Sequence, residues 1–250
     1  MKILKHSTIK NKVAHVGEYH VEKSRLNPVD QFPRVRRALR ALKRKGGGPV
    51  RKFPAGPPVI RQARYRARAW FWKNRLFLRA TLCTGYAFLL RSSEYLSRGK
   101  GGWDEKKVVR GRHIVFRRDG RPLEPSELAL TNEVALMIPG SKTDQEGQGV
   151  VLVHHLADEE HADLCIVRAL RDACLAHPER LREEKDLPFF RWSGGAPITR
   201  DQIRRYLGDA GEELGYPRAR VGTNSLRVGG ATSIFQATGG NKTVVQRLGR

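Results

Sequence analysis

A chain of 250 residues with 39% hydrophobic content can bury one core of ordinary size or two small ones, so it is expected to fold. Its 48 Lys and Arg residues outnumber its 25 Asp and Glu residues, which gives a formal net charge of +23 and a pI near 10.7. This excess predicts a polyanionic partner and salt-dependent binding, with nucleic acid ranked ahead of an anionic membrane surface.

The cysteines and the N-terminus argue against a secreted or membrane-spanning protein. Cys83, Cys165 and Cys174 are odd in number and form no C-x-x-C pair, so neither a disulfide framework nor a zinc or other metal site is indicated. The first residues lack the apolar core of a signal peptide, and no apolar run is long enough to span a membrane. An intracellular protein without a membrane partner is expected, located in the nucleus if the source is eukaryotic.

The N-terminal part of the chain is strongly basic. Residues 1–32 carry no motif and are interpreted as an arm, and Pro33 opens a predicted helix that ends at Gly46. No acidic residue occurs between Asp30 and Glu94, although Lys and Arg recur throughout. Surfaces that serve only solubility usually mix both signs, so we favour contact with nucleic acid over a merely solvated basic face.

A long helix is predicted from Arg61 to Cys83. Its arginines recur at helical spacing and would form a stripe along a phosphate backbone: Arg61, Arg64, Arg68, Arg75 and Arg79. The apolar face of this helix is predicted to consist of Ala69, Trp72, Leu76, Ala80 and Cys83. Trp70, Phe71 and Trp72 are interpreted as core residues in preference to platforms for base stacking.

The apolar segment that follows, residues 84–96, carries one arginine and one glutamate. Arg91 and Glu94 are three residues apart, so on a helix they face the same way. Taken alone, the two residues are most simply interpreted as a local ion pair.

A small antiparallel sheet is predicted in the middle of the chain, where the hydrophobic period shifts towards two. The expected strands are residues 112–116, 128–138 and 150–153. Lys142 lies in the polar connection before the last strand, and lysines in such turns are usually only solvated.

Helices return after the sheet. Asp158 is predicted to cap one helix, and Thr199 with Gln202 matches the capping box of the next. The last two helices are expected near residues 224–237 and 242–248. In the first of these, Arg227 lies early and two glycines leave the backbone open to close approach, which suits a site that receives a phosphate.

Four segments occur in the order known from one protein family. They are Leu-Arg-Ser-Ser-Glu at 90–94, Ser-Lys-Thr-Asp-Gln at 141–145, Ser-Leu-Arg-Val-Gly-Gly-Ala-Thr at 225–232 and Leu-Gly-Arg at 248–250. Over about residues 60–250 the chain resembles the catalytic domain of tyrosine recombinases, the phage-integrase family, and within it the branch of eukaryotic Crypton and DIRS-like mobile elements. Layout and resemblance together imply an α+β fold: a mainly α-helical, tyrosine-recombinase-like catalytic core with a small antiparallel β-sheet.

The resemblance also implies roles for individual residues. Arg91 and Arg227 would hold the two non-bridging oxygens of a scissile phosphate, Lys142 would protonate the leaving 5′ oxygen, and Glu94 would orient Arg91. The implied reaction on double-stranded DNA needs no metal or cofactor: a tyrosine attacks phosphorus, a 3′-phosphotyrosyl link forms, and the hydroxyl of the partner strand reverses the step. Several copies would assemble as a homo-oligomer on the DNA.

The chain departs from the family pattern in ways that limit this expectation. Asn224 stands where a histidine is usual, and an amide cannot shuttle a proton. The nucleophilic tyrosine belongs beyond position 250, and none of the tyrosines present is assigned that role. The sequence is therefore interpreted as a truncated recombinase from which strand transfer is not expected. Residues 1–60 would be a basic arm or the remnant of an N-terminal DNA-clamping domain, and residues 61–250 a catalytic domain lacking its C-terminal end.

Two other classes of protein stay open at this point. One is a non-catalytic nucleic-acid-binding protein, either a domesticated DNA binder or a basic RNA-binding protein on a ribosome-like partner. Asn224 favours such a binder, whereas the retention of Arg91, Lys142 and Arg227 in order favours descent from a recombinase. A membrane-surface protein fits less well, because the apolar face of the basic helix is needed for the core.

Overall fold

The computed structural model describes residues 4, 6–45, 51–99, 102–140, 149–182 and 187–249. Two compact units, residues 1–51 and 52–250, make up the chain. The helices are α1 (His6–Ser24), α2 (Pro28–Gln31), α3 (Pro33–Lys45), α4 (Pro57–Arg66), α5 (Trp72–Ala87), α6 (Ser92–Tyr95), α7 (Ile166–Ala176), α8 (Arg200–Glu213), α9 (Thr223–Ala237) and α10 (Lys242–Gly249). The strands are β1 (Ile114–Arg118), β2 (Arg121–Pro122), β3 (Glu133–Ile138) and β4 (Val150–His155).

The first unit is helical, and α1 packs against both α2 and α3. The predicted helix from Pro33 is present as α3, but α1 was missed, because its polar and apolar residues alternate too weakly to indicate a period. Asn27 starts α2: its side-chain oxygen accepts a hydrogen bond of 2.9 Å from the backbone N–H of Val29, and Pro28 follows as first residue of the helix.

The core of the second unit is built around α5. This helix is buried on every side between Ala80 and Gly85, as expected of a helix surrounded by others. It packs against α7 and α9, while α4 packs against α8. The buried aromatic rings of Phe77, Phe189 and Phe190 extend this core towards the segment before α8.

The single helix predicted from Arg61 to Cys83 is wrong, since the chain turns a corner between α4 and α5 at residues 67–71. At this corner the partly buried Trp70 ring packs 5.6 Å from the Trp192 ring and 4.7 Å from the Tyr206 ring, measured between centroids. Phe71 then takes a non-helical conformation and α5 begins at Trp72. Packing of the Trp70 ring against distant aromatic residues is a contribution that the continuous helical pattern of the sequence does not include.

The predicted antiparallel sheet is confirmed. Its strand order is β2-β1-β3-β4, with Ile114 opposite Leu136 and Leu136 opposite Leu152. The first part of the strand predicted for residues 128–138 instead belongs to a 3₁₀ turn, Pro125–Leu130. Helix α7 covers β3 and β4, so β3 is buried along most of its length.

The helices after the sheet match the sequence in part. The capping box of α8 is confirmed: Gln202 N donates to Thr199 Oγ1 at 3.2 Å, and Thr199 N donates to Gln202 Oε1 at 2.9 Å. The predicted start at Asp158 is wrong, because only the 3₁₀ turn Glu159–His161 follows it and α7 begins at Ile166.

The fold class is therefore α+β, mainly α-helical with a small antiparallel sheet inserted between the segment of Arg91 and the helix of Arg227, as predicted. Within the described ranges, none of the helices has the length and apolar character that a membrane crossing requires.

Candidate functional site

Arg91 is held in place by a buried carboxylate. It lies at the N-cap of α6, where its backbone N–H donates to Glu94 Oε2 at 2.7 Å and its Nη1 donates to Glu94 Oε1 at 3.2 Å. The Glu94 side chain is fully buried, whereas 24% of the Arg91 side chain is exposed. The spacing-based interpretation as a local ion pair is confirmed, and the orienting role that the resemblance implies for Glu94 has a geometric basis, since the carboxylate binds both the backbone N–H and Nη1 of Arg91.

The backbone that leads into Arg91 is strained. Leu89 is fully buried and has a φ of 52°, in the left-handed region that a bulky residue rarely occupies. Such strain costs about 1–3 kcal/mol and persists where packing imposes it, often beside functional residues. It turns the chain sharply from the end of α5 to Arg91.

Arg227 lies in the second turn of α9, as the sequence indicated, and borders a cavity of about 390 Å³. Its Nη2 donates to the carbonyl oxygen of Gly249, the last residue of α10, at 2.5 Å. Leu89 and Gly249 line the same cavity. The structure therefore brings Arg227 beside the strained Leu89 segment that leads into Arg91.

The two glycines of α9 have a different role from the one predicted. A β-carbon at Gly230 would lie 2.0 Å from the carbonyl oxygen of Tyr86, and one at Gly229 would lie 2.3 Å from the carbonyl oxygen of Ala55. They admit the protein's own backbone, not a phosphate, so the interpretation of the glycine pair as a phosphate approach is wrong. Gly230 provides close packing of α9 against α5, and Gly229 provides it against the segment before α4; together these contacts set the place of Arg227.

The remaining predicted site residues are distributed as follows. Asn224 is exposed in the first turn of α9. Lys142 and Arg250 lie outside the described residues, and the segment of Lys142 connects β3 to β4, which pair from Ile138 with Val150 onward.

The predicted arginine stripe does not run along one helix. Arg61 and Arg64 belong to α4, Arg68 to the corner, and Arg75 and Arg79 to α5. Arg61 forms an ion pair with Asp163 at 2.7 Å, and Arg64 donates to the Asp163 carbonyl oxygen at 2.6 Å. The continuous stripe is therefore wrong, and whether these side chains bind DNA stays a prediction.

Arg79 completes this intramolecular network. It pairs with Asp172 at 2.9 Å and donates to the Ala162 carbonyl oxygen at 2.7 Å. Arg79, Arg61 and Arg64 thus attach α4 and α5 to the segment before α7, where the predicted helix failed to form.

Replacing Asp163 by asparagine is expected to lower the free energy of unfolding at neutral pH by about 0.5–1 kcal/mol, because the carboxylate is about one third exposed and partly screened. Arg61 lowers the pKa of Asp163, so its contribution is present above the usual pKa near 3.8 and is lost as the pH falls through the lowered value. Urea melts between neutral pH and about pH 2 should show a flatter acid limb for Asp163→Asn. The exposed Asp158→Asn should match the wild type, and an unchanged acid limb in Asp163→Asn would contradict the prediction.

His154, on β4, was missed by the sequence reading. Its Nε2 lies 3.1 Å from the carbonyl oxygen of Ala87, and its ring meets Phe88 edge-on with centroids 4.6 Å apart. Burial lowers the pKa of His154, which favours a neutral ring with its proton on Nε2. His154 thereby ties the sheet to the turn that precedes Arg91. The strand predicted for residues 150–153 ended before His154, although burial alternates along β4 and places His154 on the inward side.

The tyrosines nearest to Arg91 in sequence are not poised to attack a phosphate. Tyr95 is fully buried, and burial raises the pKa of its hydroxyl. The Tyr86 hydroxyl shares a hydrogen bond of 2.7 Å with Ser233 Oγ. Across the described ranges, no group of three or more His, Cys, Asp or Glu side chains is arranged to hold a metal ion.

Comparisons with known proteins show structural similarity without a sequence match. No protein-family model matches the chain, and no curated protein matches it significantly. Among solved structures, the chain is similar to the XerH site-specific recombinase in a pre-cleavage complex bound to difH substrate, with 15% sequence identity and a TM-score of 0.47. The similarity covers 79% of this chain and 47% of that one, so this chain spans about half the length of its structural neighbour.

Proposed function

We propose that this chain binds double-stranded DNA through a site that receives one backbone phosphate between Arg91 and Arg227, and that it derives from site-specific tyrosine recombinases of mobile elements. The proposal rests on one observation: Arg227 shares a cavity with the strained Leu89 segment that leads into Arg91. We also propose that the protein acts inside the cell, in the nucleus if the source is eukaryotic.

The geometry suits a phosphate. Arg91 is already oriented by a buried carboxylate, so little side-chain entropy is lost when its remaining N–H groups meet an anion. A guanidinium offers forked donors that match two phosphate oxygens. The net charge of +23 supplies the long-range attraction that brings a polyanion to this site.

The roles of the other residues complete the proposal. Lys142, in the connection between β3 and β4, would reach the phosphate from the sheet, and Asn224 would donate a hydrogen bond where a proton-transferring group is usual. Since no tyrosine among residues 1–250 is assigned as nucleophile, the proposed activity of these residues is binding without covalent attachment.

Duplex binding titrated against salt tests whether both arginines share a phosphate. Each phosphate neutralised contributes about −0.9 to the slope of log K against log salt concentration. If Arg91 and Arg227 share one phosphate, the double variant should lose a slope of about 0.9, and Arg91→Gln or Arg227→Gln alone should lose less, because the remaining arginine still neutralises that phosphate. Arg118→Gln, an exposed arginine of β1, serves as the charge control. A double variant that loses a slope of about 1.8 would overturn the shared site, because two phosphates would then have been neutralised.

A nicked suicide duplex tests the absence of covalent chemistry. Incubated with the 250-residue chain and run on a denaturing gel, it is expected to give no protein-DNA adduct, and an adduct would contradict this part of the proposal. Tighter binding of structured RNA than of duplex DNA at matched salt would instead support the RNA-binding alternative.

A further inference from the structure

The corner between α4 and α5 carries an exposed aromatic cluster that the phosphate site does not use. Tyr65, Phe71 and Trp72 are 57%, 55% and 52% exposed. The Phe71 and Trp72 rings lie 6.1 Å apart, and the sequence pattern had assigned both to the core, which is wrong. Burying them would be favourable by roughly 1.5–3 kcal/mol each, so large rings left in solvent side by side need an explanation.

Cations surround these rings. The Arg68 guanidinium lies 4.0 Å from the centroid of the Tyr65 ring, and the Lys73 ammonium 5.5 Å from that of Trp72. Arg75 is one helical turn beyond Trp72 on the same face of α5, and its guanidinium forms no hydrogen bond or ion pair within the part of the chain that the structure describes.

A cavity of about 230 Å³ opens beside Trp72 and Arg75, and no acidic side chain lines it. Arg64 and Arg79 form its inner wall. Burial and the nearby charge of Arg79 lower the pKa of Arg64, so cations are crowded here and an anion would relieve their repulsion. Arg64 is paired with Asp163, and Arg79 is paired with Asp172. Of the three arginines that line this cavity, Arg75 therefore has its N–H donors available for a ligand.

We propose that this corner binds single-stranded nucleic acid, with an unpaired base stacked on Trp72 and its phosphate on Arg75. A duplex does not satisfy such a surface, because its bases are already stacked on each other and cannot reach an indole face. An apolar protein partner would bury the rings but would leave Arg68, Lys73 and Arg75 without counter-charges. The site uses neither Arg91 nor Arg227, so it stands or fails independently of the proposed phosphate site.

Binding of a labelled oligothymidylate to the 250-residue chain, followed by fluorescence anisotropy, tests the proposal. Trp72→Ala is expected to weaken binding roughly 5- to 150-fold, the range for loss of one base-aromatic stack, while Trp72→Phe retains most of the affinity. Arg75→Gln should reduce the salt slope by about 0.7, the value for one phosphate of a single strand. Because Trp72 and Arg75 are exposed, thermal melts of the variants should match the wild type.

The controls remove an aromatic ring and a charge elsewhere. Phe235→Ala, a partly exposed ring of α9, and Arg118→Gln should leave oligothymidylate binding unchanged. Wild-type affinity in Trp72→Ala would overturn the proposal. So would an equal loss in Phe235→Ala, or a Trp72→Ala variant that changes only the sedimentation of the protein, since the corner would then be an interface between copies.

Discussion

Gly230→Ala is expected to destabilise the protein by about 1–3 kcal/mol, although alanine normally stabilises a helix by about 1 kcal/mol relative to glycine. The added β-carbon would lie 2.0 Å from the Tyr86 carbonyl oxygen and 2.6 Å from Leu89 Cδ2. A backbone carbonyl cannot rotate away as a flexible side chain can, so α9 must move from α5. The clash therefore outweighs the gain in helix propensity.

A thermal melt gives the measurement, with an expected fall in melting temperature of about 2–4 °C per kcal/mol for a domain of this size. The same variant should also bind duplex DNA more weakly, because α9 carries Arg227. Gly194→Ala is the matched control: nothing lies within 4 Å of its β-carbon position, so its stability should change by less than about 0.5 kcal/mol. Equal melting temperatures for the two variants would contradict the packing account.

Glu94→Ala is expected to cost about 2–4 kcal/mol. The carboxylate is fully buried, and its removal leaves the Arg91 N–H at the start of α6 and the Arg91 guanidinium without their acceptors. Breaking a buried ion pair costs about 3–5 kcal/mol, and the partial exposure of Arg91 lowers this figure because water replaces some of the lost contacts. Urea denaturation of the variant at neutral pH measures the loss.

Two further variants sharpen this test. Glu94→Gln keeps an oxygen acceptor for the Arg91 N–H but not the negative charge, so its loss should lie between those of wild type and Glu94→Ala. Glu159→Ala removes a carboxylate that is 83% exposed and paired with Arg168, and it should cost less than about 1 kcal/mol. If Glu94→Ala costs no more than Glu159→Ala, the carboxylate does not hold Arg91 in the folded protein.

The two halves of the proposed phosphate site were predictable to different degrees. The pair of Arg91 and Glu94 followed from a spacing of three residues, and the position of Arg227 followed from its place near a helix start. The strain at Leu89 and the contact of His154 with Ala87 gave no sequence signal, since Leu89 packs beside α9 and His154 joins β4 to the end of α5 only in the folded chain.

The aromatic cluster shows how a correct periodicity can mislead. Residues 61–83 fit a helical pattern almost throughout, so Trp72 was placed on an apolar face and the arginines on a stripe. The helix instead ends at Arg66, and Trp70 packs on Trp192, a residue 122 positions away that no local pattern reveals. Because α4 and α5 are separate helices, the helical pattern of residues 61–83 does not hold across the corner, and Phe71 and Trp72 lie at the surface instead of in the core.

The sequence by itself determined the α+β layout, the capping box of α8 and the pairing of Arg91 with Glu94. These depend on hydrophobic periodicity or on hydrogen bonds between residues a few positions apart, so local chemistry suffices. Only the tertiary structure decided that Arg61 serves Asp163 over a separation of 102 residues, and that Gly229 and Gly230 receive backbone carbonyls of Ala55 and Tyr86. Such contacts form because the core brings distant segments together, and close packing then selects which side chain, or none, can occupy each position.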